Sequence, residues 1–376
     1  MKKMGLSFLL ILVLLMTGCS QEKKAVTDGT EMFSDRDYEV GYDEEESARI
    51  ELNGDSAACS SDAVQISGST VTITDEGTYI LSGTLTDGMI LVNADSSDKL
   101  HLILDQVTIN SEASAAIYIL EADKVFITLA DETTNNLSNG GTFTDIDENH
   151  IDGAVFSRQD LTFNGSGSLV VTSPAGHGIV CKDDLVFTSG TYVVTSASHG
   201  LDANDSIRIT NAALTIDSGK DGMHAENSDD TSLGFVCIES GTINISSQGD
   251  GISAGSVLQI EEGSFDIISG GGSANASHQT SEAWGGFMGG KPDGGKGEEM
   301  QAPPEDTDSD ASLQGMEPDS QETEDSTSMK GIKAAGSLII NNGTFVMDTA
   351  DDAIHSNTSV TVNGGTFEIA SGDCFR

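Results

Sequence analysis

The chain has little positive charge and few aromatic residues. Its 376 residues include 17 Lys and Arg against 61 Asp and Glu, which gives a formal net charge of −44. A surface this negative repels phosphate backbones, which excludes nucleic acid as a partner. Aromatic residues make up 5% of the chain, with Trp284 the one tryptophan, so there is no broad aromatic platform for stacking sugar rings. An anionic ligand would therefore need a cation between itself and this surface.

The first twenty residues have the layout of an export signal. Lys2 and Lys3 precede an apolar run over 6–16, which is too short to span a bilayer, where about 20 residues are needed. Cys19 follows Gly18 and resembles the lipobox cysteine that becomes the lipidated N-terminus of bacterial lipoproteins. We expect residues 1–19 to be a lipoprotein signal peptide. The protein would then be exported and lipid-anchored to the outer face of the bacterial cell membrane.

Residues 20–48 are polar and acidic, and this composition predicts a flexible tether between the lipid and the folded part of the chain. The four remaining cysteines show neither a disulfide framework nor the spacing of a metal cluster. They are Cys59, Cys181, Cys237 and Cys374. We expect Cys181 and Cys237 to serve as small packing residues, because both fall within or beside runs that resemble strands.

A repeat of 22 residues organises the chain from residue 151 onward. Each repeat is anchored by a small residue that precedes a core aliphatic, and these anchors are Gly153, Gly178, Gly200, Gly222, Gly251, Gly331 and Ala353. Residues one and three positions after the anchor are apolar or small and the one between is mostly polar, as in a strand with one face inward. This alignment places Phe156 and Cys181 in one inward column. Two more alternating pairs follow in each repeat, separated by turns rich in Gly, Asn and Asp.

Three short strands in 22 residues describe one coil of a parallel β-helix, in which each coil buries its inward residues by stacking on its neighbours. We therefore predict an all-β fold, a single-stranded parallel β-helix (β-solenoid). We expect residues 49–150 to form irregular first coils or a capping sheet, and we expect residues 151–270 to form the regular coils. Residues 271–328 are rich in glycine and acidic residues and predict a disordered insertion. Residues 329–376 predict further coils, which we expect to be truncated at the C-terminus because the last coil stops where others continue.

Several motifs occur in a recognisable order along the chain. They include Phe33-Ser-Asp-Arg-Asp37, Gly77-Thr-Tyr-Ile-Leu-Ser-Gly83, Asp123-Lys-Val-Phe-Ile-Thr-Leu-Ala130 and Leu161-Thr-Phe-Asn-Gly165. Over roughly 33–373 the chain resembles the bacterial carbohydrate-binding lipoprotein family whose β-helix is similar to that of pectate lyases. The resemblance implies a right-handed parallel β-helix, bound calcium, and binding of plant cell-wall polysaccharide, either acidic or cellulose. It does not imply lyase activity.

The turn position directly before the anchor is where a cation site is expected. Asp221 and Asp250 lie there on adjacent coils, about 4.8 Å apart, where two carboxylates repel by roughly 3–4 kcal/mol at an effective dielectric of 20. Calcium would convert this repulsion into attraction, and it takes six to eight oxygen ligands in flexible geometry. The candidate calcium ligands are Asp221, Asp250, Asp202, Glu226, Asp351 and Asp352. The alternative is that Asp-Gly is simply favourable turn chemistry.

At two coils the same turn position is histidine, His177 and His199, where the family often has aspartate. This departure argues against calcium at those two coils. With His224 and His355 these residues have neither cysteine partners nor the spacing of zinc ligands. We expect all four to be exposed turn residues rather than metal ligands.

Three functions stay open. The first is a non-catalytic binding protein, not an enzyme, in which calcium bridges to the uronate carboxylates of polygalacturonate-like chains; the scarcity of aromatics favours it. The second is a calcium-dependent polysaccharide lyase that uses a basic side chain to remove a proton. Its candidate bases are Lys182, Lys220, Arg158 and Arg208. The third is a structural adhesin or spacer with a protein ligand.

Overall fold

The computed structural model describes residues 32–276 and 328–375. These ranges form 30 strands and two short 3-10 helices, Asp35–Tyr38 and Ser273–Asn275. The predicted signal peptide with Cys19, the start of the predicted tether, and residues 277–327 of the predicted insertion lie outside the described residues. In the described ranges, no helix has the length and apolar character needed to cross a membrane.

The strands that precede the regular coils are β1 Ala48–Gly54, β2 Ala57–Ala58, β3 Val64–Ser67, β4 Thr70–Ile73, β5 Gly77–Leu85, β6 Met89–Asn93, β7 Lys99–Ser111, β8 Ile117–Glu121, β9 Lys124–Leu129 and β10 Thr134–Asn139. The next group is β11 Gly153–Ser157, β12 Asp160–Gly165, β13 Ser168–Ser173, β14 His177–Cys181, β15 Asp184–Phe187, β16 Thr191–Ser196, β17 Leu201–Ala203 and β18 Ser206–Ile209. It continues with β19 Ala212–Ser218, β20 Met223–Ala225, β21 Phe235–Ile238, β22 Gly241–Ser247, β23 Ile252–Ala254, β24 Leu258–Ile260 and β25 Ser264–Ser269. The last group is β26 Ile332–Ala334, β27 Ser337–Ile340, β28 Thr344–Ser356, β29 Ser359–Val362 and β30 Thr366–Phe375.

The strands stack into three parallel ladders, one for each side of the coil. Ladder A runs through β4, β6, β8, β11, β14, β17, β20, β23, β26 and the end of β28. In ladder A, Ile179 pairs with Leu201 and Leu201 with Met223, which is one step of 22 residues per coil. The predicted parallel β-helix and its period are confirmed.

The core is a set of aliphatic columns that run the length of the solenoid. Inward residues of successive coils, such as Ile179, Leu201 and Met223, are fully buried. Burying a side chain of this size contributes roughly 1.5–3 kcal/mol, and here the neighbouring coil provides the burial. In ladder C, formed by the third strand of each coil, the rings of Phe265 and Phe345 stack 4.6 Å apart with an interplanar angle of 3°.

Residues 49–150 form irregular coils of the same solenoid, which decides between the two predicted alternatives. Ile90, Ile117 and Val155 pair in succession in ladder A, although 27 and then 38 residues separate them. Two short antiparallel pairs, β1 with β2 and β3 with β4, lie at the start of this region. The unequal spacing explains why this region lacks the sequence period of the later coils.

The predicted register of the first regular coil is wrong by one residue. The structure pairs Phe156 with Val180 and Ser157 with Cys181, whereas the repeat alignment placed Phe156 opposite Cys181. A one-residue slip moves a side chain to the other face of the strand. Phe156 therefore points outward, where it packs with Tyr118 and Val180 in a second apolar cluster. Cys181 and Cys237 are buried, as expected of packing residues.

The described part of the predicted tether, residues 32–48, packs against the solenoid near its start. Phe33 and Asp37 are buried against the outside of the solenoid. The Asp37 carboxylate accepts a hydrogen bond from Thr162 Oγ1 at 2.6 Å and lies 2.9 Å from Lys124 Nζ. Burial raises the pKa of Asp37, but the hydrogen bonds from Thr162 and Lys124 outweigh it and bring the pKa below its usual range. Polar composition alone could not reveal these buried contacts.

The anchor glycines let the third strand pack directly on the backbone of the first. A Cβ at Gly222 would lie 2.5 Å from Ile245 Cγ2 and 2.6 Å from the carbonyl oxygen of Gly251. Gly200 and Gly251 show the same close approach to an isoleucine Cγ2. The repeat therefore keeps glycine at this position because the space is filled by a core side chain and by the next coil.

We expect Gly222→Ala to lower the free energy of unfolding by at least about 2 kcal/mol, because the new methyl group overlaps both core and backbone. Denaturant unfolding followed by far-ultraviolet circular dichroism measures the change. The matched control is Gly41→Ala, since a Cβ at Gly41 would meet nothing within 4 Å. Equal stability of the two variants would contradict this account of the anchor.

Candidate functional site

Two columns of polar side chains run along one corner of the solenoid. The turn column holds the residue before each anchor, namely His177, His199, Asp221, Asp250, Lys330 and Asp352. The strand column holds the outward residue of ladder A, namely Val180, Asp202, His224, Ser253, Lys333 and His355. We call the two columns together the polar corner. It contains four of the six predicted calcium ligands, and the other two, Glu226 and Asp351, lie beside it, as does Lys182.

Side chains of the turn column bind the backbone of the next coil. His199 Nδ1 accepts a hydrogen bond from the Asp221 N–H at 3.1 Å, and Asp221 Oδ1 accepts one from the Asp250 N–H at 2.7 Å. Asp250 Oδ1 in turn accepts one from the Lys330 N–H at 2.7 Å. Each side chain thereby satisfies an amide that the turn leaves unpaired. The alternative that Asp-Gly is simply favourable turn chemistry therefore accounts for the role of one carboxylate oxygen in each aspartate.

The second carboxylate oxygens of Asp221 and Asp250 do not bind the backbone of the next coil. Asp250 is 1% exposed, and its Oδ2 makes no hydrogen bond but lies 3.1 Å from Lys333 Nζ. Burial, followed by the negative charge of Asp250, raises the pKa of Asp221 to about 6. The buried carboxylate of Asp250 and the partly buried carboxylate of Asp221 therefore repel each other across adjacent coils, and Lys333 offsets part of this repulsion. Carboxylate oxygens are suitable donors for calcium, and the residues fit an ion that would take the place of the Lys333 ammonium.

The remaining predicted ligands divide into two separate groups. Asp202 and Glu226 both contact the imidazole of His224, at 2.9 Å and 3.3 Å. Asp351 pairs with Lys330, and the Oδ2 of Asp352 lies 2.9 Å from His355 Nδ1. The structure therefore brings together Asp221 and Asp250, with Lys333 at Asp250, and it places the other four acids in separate pairs with bases.

The expectation that the histidines are exposed turn residues is wrong. The rings of His177 and His199 stack 5.1 Å apart, and those of His199 and His224 stack 4.5 Å apart. The side chains of these three residues are 14–23% exposed. Residues 22 positions apart in sequence are neighbours across coils, so imidazoles in the same column must stack. The column alignment contained this signal, although sequence spacing alone does not resemble a metal site.

His199 and His224 differ in charge state although their rings are stacked. Burial and, after it, the charge of His224 lower the pKa of His199 to about 3, so this ring is neutral. Burial also opposes the charged form of His224, but hydrogen bonds to Asp202 and Glu226 prevail and raise its pKa to about 10. The same His224 hydrogen bond overcomes the effect of burial on Asp202 and holds its pKa well below the usual range. A neutral ring therefore lies against an imidazolium that is paired with carboxylates.

The four candidate lyase bases do not converge. Arg208 is fixed by an ion pair with Asp184. Lys182 Nζ lies 3.8 Å from Asp202, Lys220 is exposed beside the histidines, and Arg158 lies near Asp147. Lys182 and Lys220 flank the polar corner from two sides, whereas the arginines lie elsewhere on the solenoid.

We expect Asp202→Asn to lower the free energy of unfolding by about 1.5–3 kcal/mol at pH 6, because it removes a charge-assisted hydrogen bond from a mostly buried histidine. The folded pKa of His224 exceeds its ordinary value of 6.5, so this stability is fully present below pH 6.5 and is lost as pH rises through about 10. The pKa of Asp202 is lowered from 3.8, so its contribution is present above pH 3.8 and is lost in stronger acid.

Urea unfolding of both proteins in EDTA between pH 5 and pH 10.5 measures this difference. The stability gap between the wild type and Asp202→Asn should narrow toward the alkaline end. Asp217→Asn, at an exposed strand position, serves as the control. Its free energy of unfolding should equal that of the wild type throughout this pH range. A gap that stays constant from pH 5 to pH 10.5 would show that the Asp202–His224 pair does not titrate in this way.

The fold and the site define a parallel β-helix with polar side chains stacked along one corner of its coils. Residues 67–374 match the model of the carbohydrate-binding domain-containing protein family, and the chain belongs to this family. A carbohydrate-binding domain-containing protein of Acetivibrio thermocellus is 34% identical over 195 residues, which is 51% of this chain and 65% of that protein. The match therefore spans somewhat less than two thirds of the relative.

A solved structure also resembles the chain. It is described as that of the polysaccharide lyase-like protein from C. thermocellum, in a gadolinium derivative. It is 34% identical in sequence, superposes with a TM-score of 0.57, and covers 58% of this chain and 90% of its own. The fold and the family agree with the expectation from sequence that the protein binds carbohydrate.

Proposed function

We propose that the protein is a non-catalytic binder of acidic plant cell-wall polysaccharide, with polygalacturonate as the model ligand, and that calcium at Asp221 and Asp250 links the two. The observation that carries the proposal is the Oδ2 of Asp250, which is buried, accepts no hydrogen bond and lies 3.1 Å from Lys333 Nζ, beside the partly buried carboxylate of Asp221. Such a pair of oxygens attracts a hard cation. A repeating uronate polymer can supply the remaining oxygen ligands from its carboxylates.

Calcium also resolves the charge problem of this ligand. The protein has a net charge of −44, so a polyuronate is repelled unless cations lie between the two surfaces. The lysines at the polar corner offer a second source of positive charge: Lys333 contacts Asp250 and Lys330 contacts Asp351. A calcium ion at Asp250 would take the place of the Lys333 ammonium there. Lys333 is long enough to move aside, and its side chain is 28% exposed.

A neutral glucan such as cellulose is the weaker candidate ligand. Such ligands are usually held by exposed aromatic rings, and the large aromatic side chains of the described coils are mostly buried in the core. Catalysis is likewise less well supported, because the two arginines lie away from the polar corner and, of the lysines beside it, Lys182 lies 3.8 Å from Asp202 and Lys220 is exposed. We further propose that the protein acts at the cell surface, with Cys19 as the site of lipid attachment.

Retention on immobilised polygalacturonate tests this function. We expect the protein to be retained in millimolar calcium and to elute in EDTA, and we expect Asp250→Asn to reduce calcium-dependent retention at least about tenfold, because one carboxylate charge is lost from the site. Asparagine keeps the acceptor for the Lys330 amide, so the fold should be preserved.

Asp217→Asn is the matched control and should be retained like the wild type. Immobilised cellulose, run in parallel, should retain less protein than polygalacturonate. Retention that is unchanged by EDTA would contradict the calcium bridge. Release of unsaturated sugar ends during the experiment would instead identify the protein as a lyase.

A further inference from the structure

We propose that the polar corner carries a second cation site, for a divalent transition metal such as zinc, formed by His177, His199 and Asp202. One ring nitrogen of each histidine and one carboxylate oxygen of Asp202 lie within 4.8 Å of one another. The three residues come from two adjacent coils of the solenoid, so parallel strand pairing fixes their relative positions. The site is independent of the proposed polysaccharide binding.

The donor atoms select the class of metal. Two imidazoles and one carboxylate suit a borderline cation such as zinc, whereas calcium prefers an all-oxygen set. Metal–nitrogen and metal–oxygen bonds of about 2.0–2.2 Å place tetrahedral ligands roughly 3.4 Å apart, so small side-chain rotations would close the group around an ion. Three protein ligands leave one position open to water or to an oxygen of a bound molecule.

His177 provides an independent indication of a missing ligand. Its Nδ1 is buried and has no hydrogen-bond partner. Its Nε2 has only long contacts, at 3.4 Å to Ser198 Oγ and 3.6 Å to Asp152 Oδ2. Buried polar atoms are normally satisfied, so an imidazole held this loosely, and stacked on a second one, is suited to bind an ion.

Neighbouring groups hold the other two ligands in place. His224 Nδ1 lies 2.9 Å from Asp202 Oδ1, which leaves the second oxygen of Asp202 for a metal. Coordination through His199 Nε2 would place the ring proton on Nδ1, so the ring would give up the hydrogen bond that Nδ1 accepts from the Asp221 N–H and would present this proton to Asp221 Oδ2, 3.7 Å away. Lys182 lies 3.8 Å from Asp202, but its side chain is 37% exposed and can turn into solvent.

Metal titration of the whole protein tests the site. After treatment with EDTA and its removal, isothermal titration calorimetry should detect zinc binding at the site. Cobalt(II) should give the visible absorption of a tetrahedral complex. We expect His177→Gln and His199→Gln each to weaken zinc binding at least about tenfold and to abolish the cobalt spectrum. His150→Gln is the matched control, because its side chain is 79% exposed and lies outside the group.

The outcomes separate this site from the calcium pair. Asp250→Asn should retain zinc binding while losing calcium-dependent retention on polygalacturonate. Full zinc affinity in both histidine variants, or the absence of a tetrahedral cobalt spectrum in the wild type, would overturn the proposal. Circular dichroism of each variant establishes that its solenoid is folded, and the cobalt spectrum of the wild type tests the site without any substitution.

Discussion

The structure depends on one interaction, the parallel backbone hydrogen bonding of each coil to the next. This pairing fixes coils about 4.8 Å apart and in register, so side chains at equivalent positions of neighbouring coils lie beside each other. Inward, the result is a set of continuous aliphatic columns and a glycine or alanine at each anchor position. Outward, it forces like groups together. Asp221 lies next to Asp250, and His177 next to His199, whether or not these contacts are favourable in themselves.

The polar corner shows how the chain manages these enforced contacts. One oxygen of Asp221 and of Asp250 is used to satisfy the amide of the following turn, which makes the residues structural. Repulsion between their charges is left over, and it gives the same residues a capacity to bind a cation. The stacked histidines avoid charge repulsion in another way. His199 stays neutral, while His224 is charged and paired with Asp202. Structural and binding roles therefore share the same side chains.

Sequence reasoning predicted the period, the three strands per coil and the neighbourhood of Asp221 and Asp250, because these follow from alternation and a constant spacing. It failed at Phe156, because Gly153 was taken as the anchor of a coil that is longer than the others. The ring of Phe156 instead points outward and packs in an apolar cluster on the outside of the coil. It also failed for the histidines, which were judged by sequence spacing, and for residues near Asp37, where polar composition concealed buried contacts. The hydrogen bonds of the turn column depend on rotamers that no spacing reveals.

Hydrogen–deuterium exchange of the whole protein, with and without oligogalacturonate in calcium, tests the central claim that the polar corner is the ligand-binding surface. The account predicts slower exchange of the turn amides around 199, 221 and 250, and no such change when EDTA replaces calcium. Protection confined to another side of the solenoid, or protection that persists in EDTA, would contradict it.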